Sequence, residues 1–478
     1  MTDSTARAMQ ETTPPETGRP DTGVRPFGLR DKMGYLLGDF GNDFSFMLVS
    51  GYLMVFYTDV FGISAAAVGT LFLIARFWDA VTDVLWGRFI DSRPTTPQGK
   101  FKPWIFRMSI PLVITTVLLF TYIPGLPNGF YLAYAYVTYM LWAALYGTVN
   151  IPYGSMASVI SGDSTHRSSL SGWRTMGGMS ANLVIGVVVP LVVFVNNDIS
   201  SSRILMLAVI FGILAFACYM GCVRLSTERI KHPEKQPGEK MNFFQTLKGF
   251  GKNKPFIVLI ISSLLFLLTQ MLVMAINVYL FKDYFNNAAA LSIFTVIQVG
   301  AVFLAMPTLT PLVKKFGKKE LGATGMLVAG VFYFILFFIP NISLPVFFAI
   351  NLLGLIGFAY FNLIIWAFVT DAIDYQEYLT GAREDGTVYS VYSFARKLGQ
   401  AFAGGLTGYA LAVIGYNSSV ATQAQEVKDG IYTIATLFPA VTYTVVGLLL
   451  IFFYPLNKKR TKQLEVELAE RRLKELNQ

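Results

Sequence analysis

Runs of about 20 apolar residues alternate with short polar segments along most of the chain. A helix needs about 20 apolar residues to cross the hydrocarbon core of a bilayer, which is about 30 Å thick. The pattern therefore predicts an all-α membrane protein with about twelve transmembrane helices. The predicted spans lie approximately at 33–58, 65–90, 104–122, 130–158, 170–195, 203–223, 256–281, 288–313, 320–339, 344–371, 387–413 and 431–454.

Basic residues concentrate in the segments that lie on one side of these spans. Such segments mark the cytoplasmic side of a membrane protein. We therefore expect a multi-pass protein of the cell membrane, in contact with lipid, with both termini in the cytoplasm. The segments rich in lysine and arginine are 91–103, 224–254, 314–319 and 458–460, whereas the loops 59–65, 125–128 and 341–343 carry neither residue.

The loops after spans 2 and 8 occupy equivalent places in the two halves of the chain, and both combine glycine with lysines. The matched loops favour two six-helix bundles joined by a central linker, as in the major facilitator fold. The alternative is that these loops only set the topology. The predicted units are a disordered tail at 1–29, a bundle at 30–223, a linker at 224–254, a bundle at 255–456 and a charged tail at 457–478.

Composition narrows the range of functions. Only 14% of the residues are charged and 54% are hydrophobic, whereas a soluble protein carries about 25% charged residues. The net charge of +9 arises in the basic loops and the tail, so we expect no nucleic-acid partner. Signatures of serine hydrolases, zinc proteases and P-loop nucleotide binders do not occur. We therefore predict no enzymatic activity and no cofactor.

Two aspartates, Asp79 and Asp83, interrupt the second apolar run. Their spacing of four residues places both carboxylates on one face of a helix. A carboxylate at this depth costs about 2.5–3.5 kcal/mol on insertion scales, which makes an ion or proton site its default interpretation. The pair would share a cation, or one member would hold a proton. Lys397 in span 11 is the basic partner that we expect nearby.

Span 1 also carries two aspartates, Asp39 and Asp43, four residues apart. Asp39 is expected near the cytoplasmic interface, where a solvated or capping role is favoured. Asp43 lies deeper, so a role in binding substrate or ion is about as strongly favoured as a structural one. The neighbouring Asn42 would add a donor and an acceptor for a sugar.

Spans 4 and 5 contain further candidates for sugar binding. Pro152 frees a backbone carbonyl within span 4, and Asn150 and Tyr153 beside it could bind hydroxyl groups. An ordinary proline kink is the alternative. Arg174 next to Trp173 at the start of span 5 offers donors and a flat ring, although an arginine and a tryptophan also anchor helix ends at the interface.

Span 11 and the cytoplasmic loops supply the remaining candidates. Tyr392 and Ser393 are expected to contact the sugar. A network of charged residues near the cytoplasmic ends of the spans would form a gate rather than a substrate site. Its predicted members are Arg88, Asp91, Lys100, Asp371, Asp374, Glu377 and Arg383.

Several segments resemble the glycoside–pentoside–hexuronide:cation symporters, the melibiose-carrier family of the major facilitator superfamily. The most specific is Arg-Phe-Trp-Asp-Ala-Val-Thr-Asp at 76–83, followed by Gly-Lys-Phe-Lys-Pro-Trp at 99–104. The segments 149–155, 377–381 and 389–400 resemble those of glucuronide carriers and related glycoside permeases. The resemblance implies a cation site at Asp79 and Asp83 with Lys397 nearby, and sugar contacts from Asp43 and Arg174.

Two positions depart from the melibiose carrier, which has an aspartate at the position of Asn150 and a threonine at that of Gly147. The resemblance assigns the aspartate to galactoside binding and the threonine to sodium binding, so their absence favours protons as the coupling ion. The loss of one negative charge also reduces repulsion of an anionic hexuronide. Asp43 argues against such a substrate.

We therefore predict a sugar:cation symporter, proton-coupled, that works as a monomer by alternating access around a midplane site. Sodium at Asp79 and Asp83 is the alternative coupling ion. Two hypotheses from other classes are a membrane sugar sensor that does not transport and a proton-driven drug exporter. Hydroxyl and amide groups near Asp43 and Asn150 suit sugars better than lipophilic drugs.

Overall fold

A computed structural model describes residues 25–230, 250–381, 385–418, 420 and 422–476. Most of the predicted tail 1–29, the central part of the linker 224–254 and the predicted gate residue Arg383 lie outside these residues. The domain boundaries given above therefore stay a prediction.

Twelve long helices follow one another in the described part of the chain, and a thirteenth forms the tail. Their bounds are α1 Leu29–Asp59, α2 Ala65–Asp91, α3 Lys102–Leu119, α4 Asn128–Ile160, α5 Ser164–Val193, α6 Ser201–Leu225, α7 Lys254–Tyr279, α8 Ala290–Phe316, α9 Lys318–Phe337, α10 Leu344–Thr380, α11 Asp385–Val413, α12 Gln425–Phe453 and α13 Lys458–Leu476. A π-helical turn, Leu280–Tyr284, extends α7. Strands β1 (Phe194–Val195) and β2 (Asp198–Ile199) pair antiparallel between α5 and α6.

Nine of the described helices are long and apolar enough to cross a membrane. The helices α1, α4 and α11 are not among these nine, and each carries polar residues that the sequence assigns to the transport site. The all-α membrane fold predicted from the apolar runs is confirmed.

Glycines allow the helices within each half of the fold to approach closely. A Cβ at Gly177 of α5 would lie 2.4 Å from the carbonyl oxygen of Leu36 on α1. In the second half, a Cβ at Gly357 of α10 would lie 2.4 Å from the carbonyl oxygen of Gly325 on α9. Small residues at helix crossings permit such backbone contact in membrane proteins. We call α1–α6 the first half and α7–α12 the second half.

The two halves touch at the face opposite the basic loops. At this opposite face, a Cβ at Gly408 of α11 would lie 2.5 Å from the carbonyl oxygen of Ala65 on α2. Ser292 of α8 donates a hydrogen bond of 2.9 Å to the carbonyl of Val187 on α5. Deeper in the fold, Met179 of α5 packs against Val302 and Ala305 of α8 and Ala359 of α10. We call these four residues the seal.

The charged tail is a helix that lies on the second half. Leu464 and Leu468 of α13 are buried. At one end of α13, Lys458 donates to the carbonyl of Lys315 at 3.0 Å. Further along, Arg471 donates to the carbonyl of Tyr378 in the last turn of α10 at 3.4 Å. A cation near the C-terminal carbonyls of a helix is stabilising because it complements the helix dipole.

Candidate transport site

Two carboxylates and a guanidinium meet between α1 and α5. Arg174 donates through Nε to Oδ1 of Asp39 at 2.9 Å. A Cβ at Gly178 would lie 2.7 Å from Oδ2 of Asp43 and 3.1 Å from Oδ2 of Asp39, so both carboxylates point at the same spot on α5. The Arg174 guanidinium also lies over the ring of Tyr153, 5.2 Å from its centroid. We call Asp39, Asp43, Arg174 and Tyr153 the first-half cluster.

The expected interfacial role of Asp39 is wrong. Helix α1 begins at Leu29, so Asp39 lies ten residues, about 15 Å, along the helix. Its side chain is buried and accepts a hydrogen bond from Arg174. Asp39 therefore belongs to the site, although the sequence assigned no substrate role to it.

Arg174 does not open its helix as expected. Helix α5 begins at Ser164, which places Arg174 ten residues, about 15 Å, from its start. Trp173 is half-buried and lies about 100° around the helix from Arg174, so the two side chains do not share a face. The aromatic partner of Arg174 is Tyr153 instead, and 37% of the Arg174 side chain is exposed.

Three of the predicted sugar contacts are core residues in this structure. Tyr153 is 1% exposed, and its hydroxyl donates to the carbonyl of Tyr35 at 2.7 Å. Asn42 is buried and accepts from the hydroxyl of Tyr219 at 3.0 Å. Tyr392 is buried and accepts from Ser263 at 3.3 Å. Each bond engages one polar group of its residue in this structure, and direct contact with a sugar stays a prediction for all three residues.

Three other predicted site residues have few described contacts. Asn150 is half-buried in α4. Ser393 and Lys397 belong to α11, and their side chains lie outside the described part of the structure. Their roles stay predictions.

The carbonyl that Pro152 frees in α4 finds a partner on α2. Pro152 has no N–H with which to bond the carbonyl four residues earlier, which belongs to Thr148. The indole Nε1 of Trp86 donates to that carbonyl at 3.2 Å. Helix α4 continues without interruption from Asn128 to Ile160. The proline therefore creates a specific link between α4 and the helix that carries the aspartate pair.

Asp83 lies directly against the backbone of α4, one turn before Trp86. A Cβ at Gly147 would stand only 2.1 Å from Oδ1 of Asp83, so a side chain there would displace the carboxylate. Asp79, on the same face of α2, has Oδ2 3.8 Å from Nη1 of Arg76. The sequence motif contains Arg76, but spacing alone did not identify it as a neighbour of the pair.

Contacts are described for two of the predicted gate residues, Asp371 and Lys100. Asp371 of α10 pairs with Lys318 of α9. The backbone N–H of Lys100 donates to Glu228 at 2.6 Å, and Glu228 also accepts from the N–H groups of the next two residues. Arg88 is exposed in the last turn of α2, and Asp374 and Glu377 lie near the end of α10. The Asp91 side chain lies outside the described residues, and the gate assignment stays a prediction.

A second charged cluster joins the two halves at the opposite face. Lys282, in the π-helical turn after α7, pairs with Asp59 at the end of α1. Asp283 lies 3.5 Å from the Lys282 ammonium. Tyr416, in the loop after α11, donates to Asp59 at 3.0 Å. We call Asp59, Lys282, Asp283 and Tyr416 the latch.

The latch is buried and internally bonded. The side chains of Lys282 and Asp59 are 10% and 9% exposed. Burial, and then the nearby Asp59 carboxylate, raise the pKa of Tyr416. The phenol therefore stays protonated and able to donate. The sequence alone does not reveal this cluster, because its members come from three separate segments.

Comparisons with known proteins identify the family to which the chain belongs. Residues 34–458 match the sequence profile of a family described as MFS/sugar transport protein. The chain is 33% identical over 451 residues to the glucuronide carrier protein homolog of Escherichia coli (strain K12), covering 93% of this chain and 96% of that protein. It is 32% identical over 439 residues to the isoprimeverose transporter of Lactiplantibacillus pentosus, covering 91% and 90% respectively.

The fold is also similar to that of a solved transporter. The crystal structure of D-xylose-proton symporter matches with a TM-score of 0.63 at 15% identity, covering 89% of this chain and 97% of that one. The interpretation as a membrane sugar:cation symporter is thus confirmed at the level of the family. The chain belongs to the MFS/sugar transport protein family.

Proposed function

We propose that the protein couples sugar uptake to proton entry across the cell membrane, with its basic face toward the cytoplasm. The observation that carries the choice of ion site is the position of Asp83. Its carboxylate lies in a membrane-crossing helix, against a glycine of α4, with Asp79 on the same helix face. A carboxylate at such a depth is expected to serve ion or proton movement.

The choice of a proton over sodium rests on the groups around Asp83. A sodium ion needs several oxygen ligands, because it is a hard cation. Gly147 brings no hydroxyl group, and its missing side chain is what allows Asp83 to approach the backbone. A proton needs only one carboxylate. Sodium bound between Asp79 and Asp83 is the competing proposal, and Lys397 is the expected basic neighbour in either case.

The first-half cluster is the proposed sugar site of this half. Carboxylates accept hydrogen bonds from hydroxyl groups, and a guanidinium donates several in a fixed plane. Asp39 and Arg174 orient each other through their hydrogen bond, and the Arg174 guanidinium lies over the ring of Tyr153. The names of the relatives, a glucuronide carrier homolog and an isoprimeverose transporter, support a glycoside as the substrate class.

In alternating access, the substrate site would open to one face of the membrane and then to the other. The latch and the seal join the two halves at and near the opposite face, so we expect the site to communicate with the cytoplasm. Protonation of the Asp79–Asp83 pair removes a charge that is costly to carry through the closed, dry state. The protein would therefore reorient readily when both sugar and proton are bound. One chain contains both halves, which supports a functional monomer.

The test is the concentrative uptake of a glycoside by cells that express Asp83→Asn. We expect accumulation against the gradient to be lost, because asparagine cannot release a proton, while the variant still reaches the membrane. Asp198→Asn, at an exposed aspartate in the β-hairpin, is the matched control. Accumulation by Asp83→Asn at the level of the unmodified protein would refute the assignment.

A further inference from the structure

A cavity of about 620 Å³ lies at the basic face of the first half, where α3 begins and α6 ends. Its walls come from the loop before α3, the first turns of α3, the last turns of α6 and the segment that follows α6. Sites for small molecules typically have volumes of about 300–1,000 Å³. None of the described residues that line this cavity belongs to the first-half cluster or to the Asp79–Asp83 pair. We call it the basic cavity.

Two of the charged residues that line the basic cavity already have partners within the protein. The Glu228 carboxylate accepts the backbone N–H groups of residues 100–102 at distances of 2.6–3.0 Å. It therefore occupies the N-terminus of α3, and those N–H groups are not available to another anion. Arg25 pairs with Asp31 at 3.1 Å and donates to the carbonyl of Leu225 at 2.7 Å. An anion in the cavity would have to be bound by other groups.

Two further cations line the basic cavity and have donors to spare. Lys102, the first residue of α3, donates to the carbonyl of Ser226 at 2.9 Å. An ammonium group has three donors, so two are left. Arg224 is exposed in the last turn of α6, and within the part of the chain that the structure describes it has no hydrogen-bond or ion-pair partner. Lys102 and Arg224 therefore offer positive charge and several N–H donors to an anion.

The basic cavity also has an apolar wall, formed by Phe106 of α3 and by Met220 and Val223 of α6. Phe106 lies four residues, about 6 Å, beyond Lys102 along α3. Met220 lies four residues, about 6 Å, before Arg224 along α6. Both helices are long and apolar enough to cross a membrane. The charges thus lie at the helix ends, and the apolar side chains lie deeper in the membrane.

The apolar wall continues along the exposed side of α3. Phe106, Ile110 and Ile114 are 49%, 47% and 53% exposed and follow one another at intervals of four residues. Side chains at this spacing are neighbours on a helix surface. An alkyl chain that leaves the cavity past Phe106 would therefore lie along an apolar surface of a membrane-crossing helix.

We infer that the basic cavity binds an anionic phospholipid of the leaflet at the basic face, with its phosphate bound by Lys102 and Arg224 and an acyl chain against Phe106. Basic pockets between membrane helices bind such headgroups. A soluble anion would use the two cations but leave the apolar wall in contact with water. A zwitterionic lipid would use the wall, but its own cation would be repelled by the same two side chains. The inference is independent of the sugar and of the coupling ion.

The experiment measures lipid binding to the purified full-length protein in detergent by native mass spectrometry. The ligands are dioleoyl phosphatidylglycerol, dioleoyl phosphatidylcholine and glycerophosphoglycerol, which is the phosphatidylglycerol headgroup without its chains. We expect Arg224→Gln to weaken the first phosphatidylglycerol binding step about fivefold, and Lys102→Gln with Arg224→Gln to weaken it about 25-fold. Binding of phosphatidylcholine should stay nearly unchanged. Arg224→Lys should keep most of the affinity, because it keeps the charge.

The matched control is Arg107→Gln, at an exposed arginine of α3 that does not line the basic cavity. It removes the same charge from the same end of the first half and should leave the phosphatidylglycerol affinity unchanged. Lys102→Gln also removes the hydrogen bond to Ser226, so the melting temperature of the double variant is measured without added lipid. If that variant does not fold, the exposed Arg224→Gln decides the question alone.

Three outcomes would overturn the inference. The first is equal affinity of the unmodified protein for phosphatidylglycerol and phosphatidylcholine. The second is an equal change of phosphatidylglycerol affinity in Arg224→Gln and Arg107→Gln. The third is binding of glycerophosphoglycerol as tight as that of the lipid, which would assign the cavity to a soluble phosphate compound. A failure of the proposed symport would leave this result unaffected, because the assay contains neither a sugar nor an ion gradient.

Discussion

Lys282→Gln removes the ammonium group that ties the end of α1 to the second half. In the unmodified protein, Lys282 pairs with Asp59 and lies 3.5 Å from Asp283 and 3.4 Å from the hydroxyl of Tyr416. Glutamine is about one bond shorter than lysine and carries no charge. Asp59 and Asp283 would then be enclosed in the closed latch without their cation, whereas water would solvate them once the opposite face opens.

The size of the effect follows from the burial of the pair. Both side chains are about nine-tenths buried, and the removal of one partner from a buried ion pair costs about 3–5 kcal/mol. This cost falls on the closed state alone. Because 1.4 kcal/mol corresponds to a factor of ten, even the lower figure shifts the equilibrium toward the open state by about 100-fold.

The assay measures access to the seal from outside the cell. Met179→Cys, in a background with Cys218→Ser and Cys222→Ser, places one thiol at the seal. A membrane-impermeant maleimide is added to right-side-out vesicles, and the rate of labelling reports the open fraction. We expect Lys282→Gln to raise this rate by about 100-fold while the open state is rare.

Arg203→Gln is the control for this assay. Arg203 is exposed on the same face, and its 3.2 Å hydrogen bond to the Val192 carbonyl stays within the first half. It should leave the labelling rate unchanged. An unchanged rate in Lys282→Gln, in protein that is folded and inserted, would refute the view that the latch holds the opposite face closed.

Two further substitutions test the contact between α2 and α4. Gly147→Ala places a Cβ 2.1 Å from the present position of the Asp83 carboxylate, so proton-coupled accumulation should fall by up to about 100-fold. The control is Gly300→Ala, where the added Cβ meets nothing within 4 Å. Equal accumulation by the two variants would contradict the role of the contact between Asp83 and α4. Trp86→Phe removes the donor to the carbonyl freed by Pro152 and should lower the free energy of unfolding by about 1–3 kcal/mol, which is measured as a lower melting temperature in detergent. Trp104→Phe is the control, and an equal decrease in that variant would attribute the effect to lost ring area.

The sequence predicted the fold well, because the fold depends on local pattern, whereas the ion-binding role of Asp79 and Asp83 stays a prediction. Apolar runs of membrane length reveal spans without any knowledge of their neighbours. A carboxylate in such a run stands out for the same reason, as Asp79 and Asp83 did. The carbonyl freed by Pro152 was also predictable, since it follows from the missing N–H of proline.

Depth along a helix was harder to predict. Hydropathy reports where apolar residues begin, but α5 starts six residues before the predicted span at 170 because its polar first turns are also helical. Arg174 therefore lies deeper than expected. The same reason applies to Asp39, since α1 begins at Leu29 rather than at 33.

Contacts between distant segments could not be predicted from a single sequence. The Trp86 indole, the Thr148 carbonyl and the latch residues each look ordinary in their own segment. Their roles arise from helix packing, which brings together residues more than 60 positions apart. Periodicity likewise did not identify the face of α1 on which Asn42 meets Tyr219.

Proton-coupled symport is tested most simply by measuring the external pH of de-energised cells that express the protein in a sodium-free medium. A pulse of the transported glycoside should make the medium alkaline, because each sugar enters with a proton. Asp83→Asn should abolish this change. Sugar uptake that leaves the pH constant and begins only when sodium is added would contradict proton coupling and assign Asp79 and Asp83 to a sodium site.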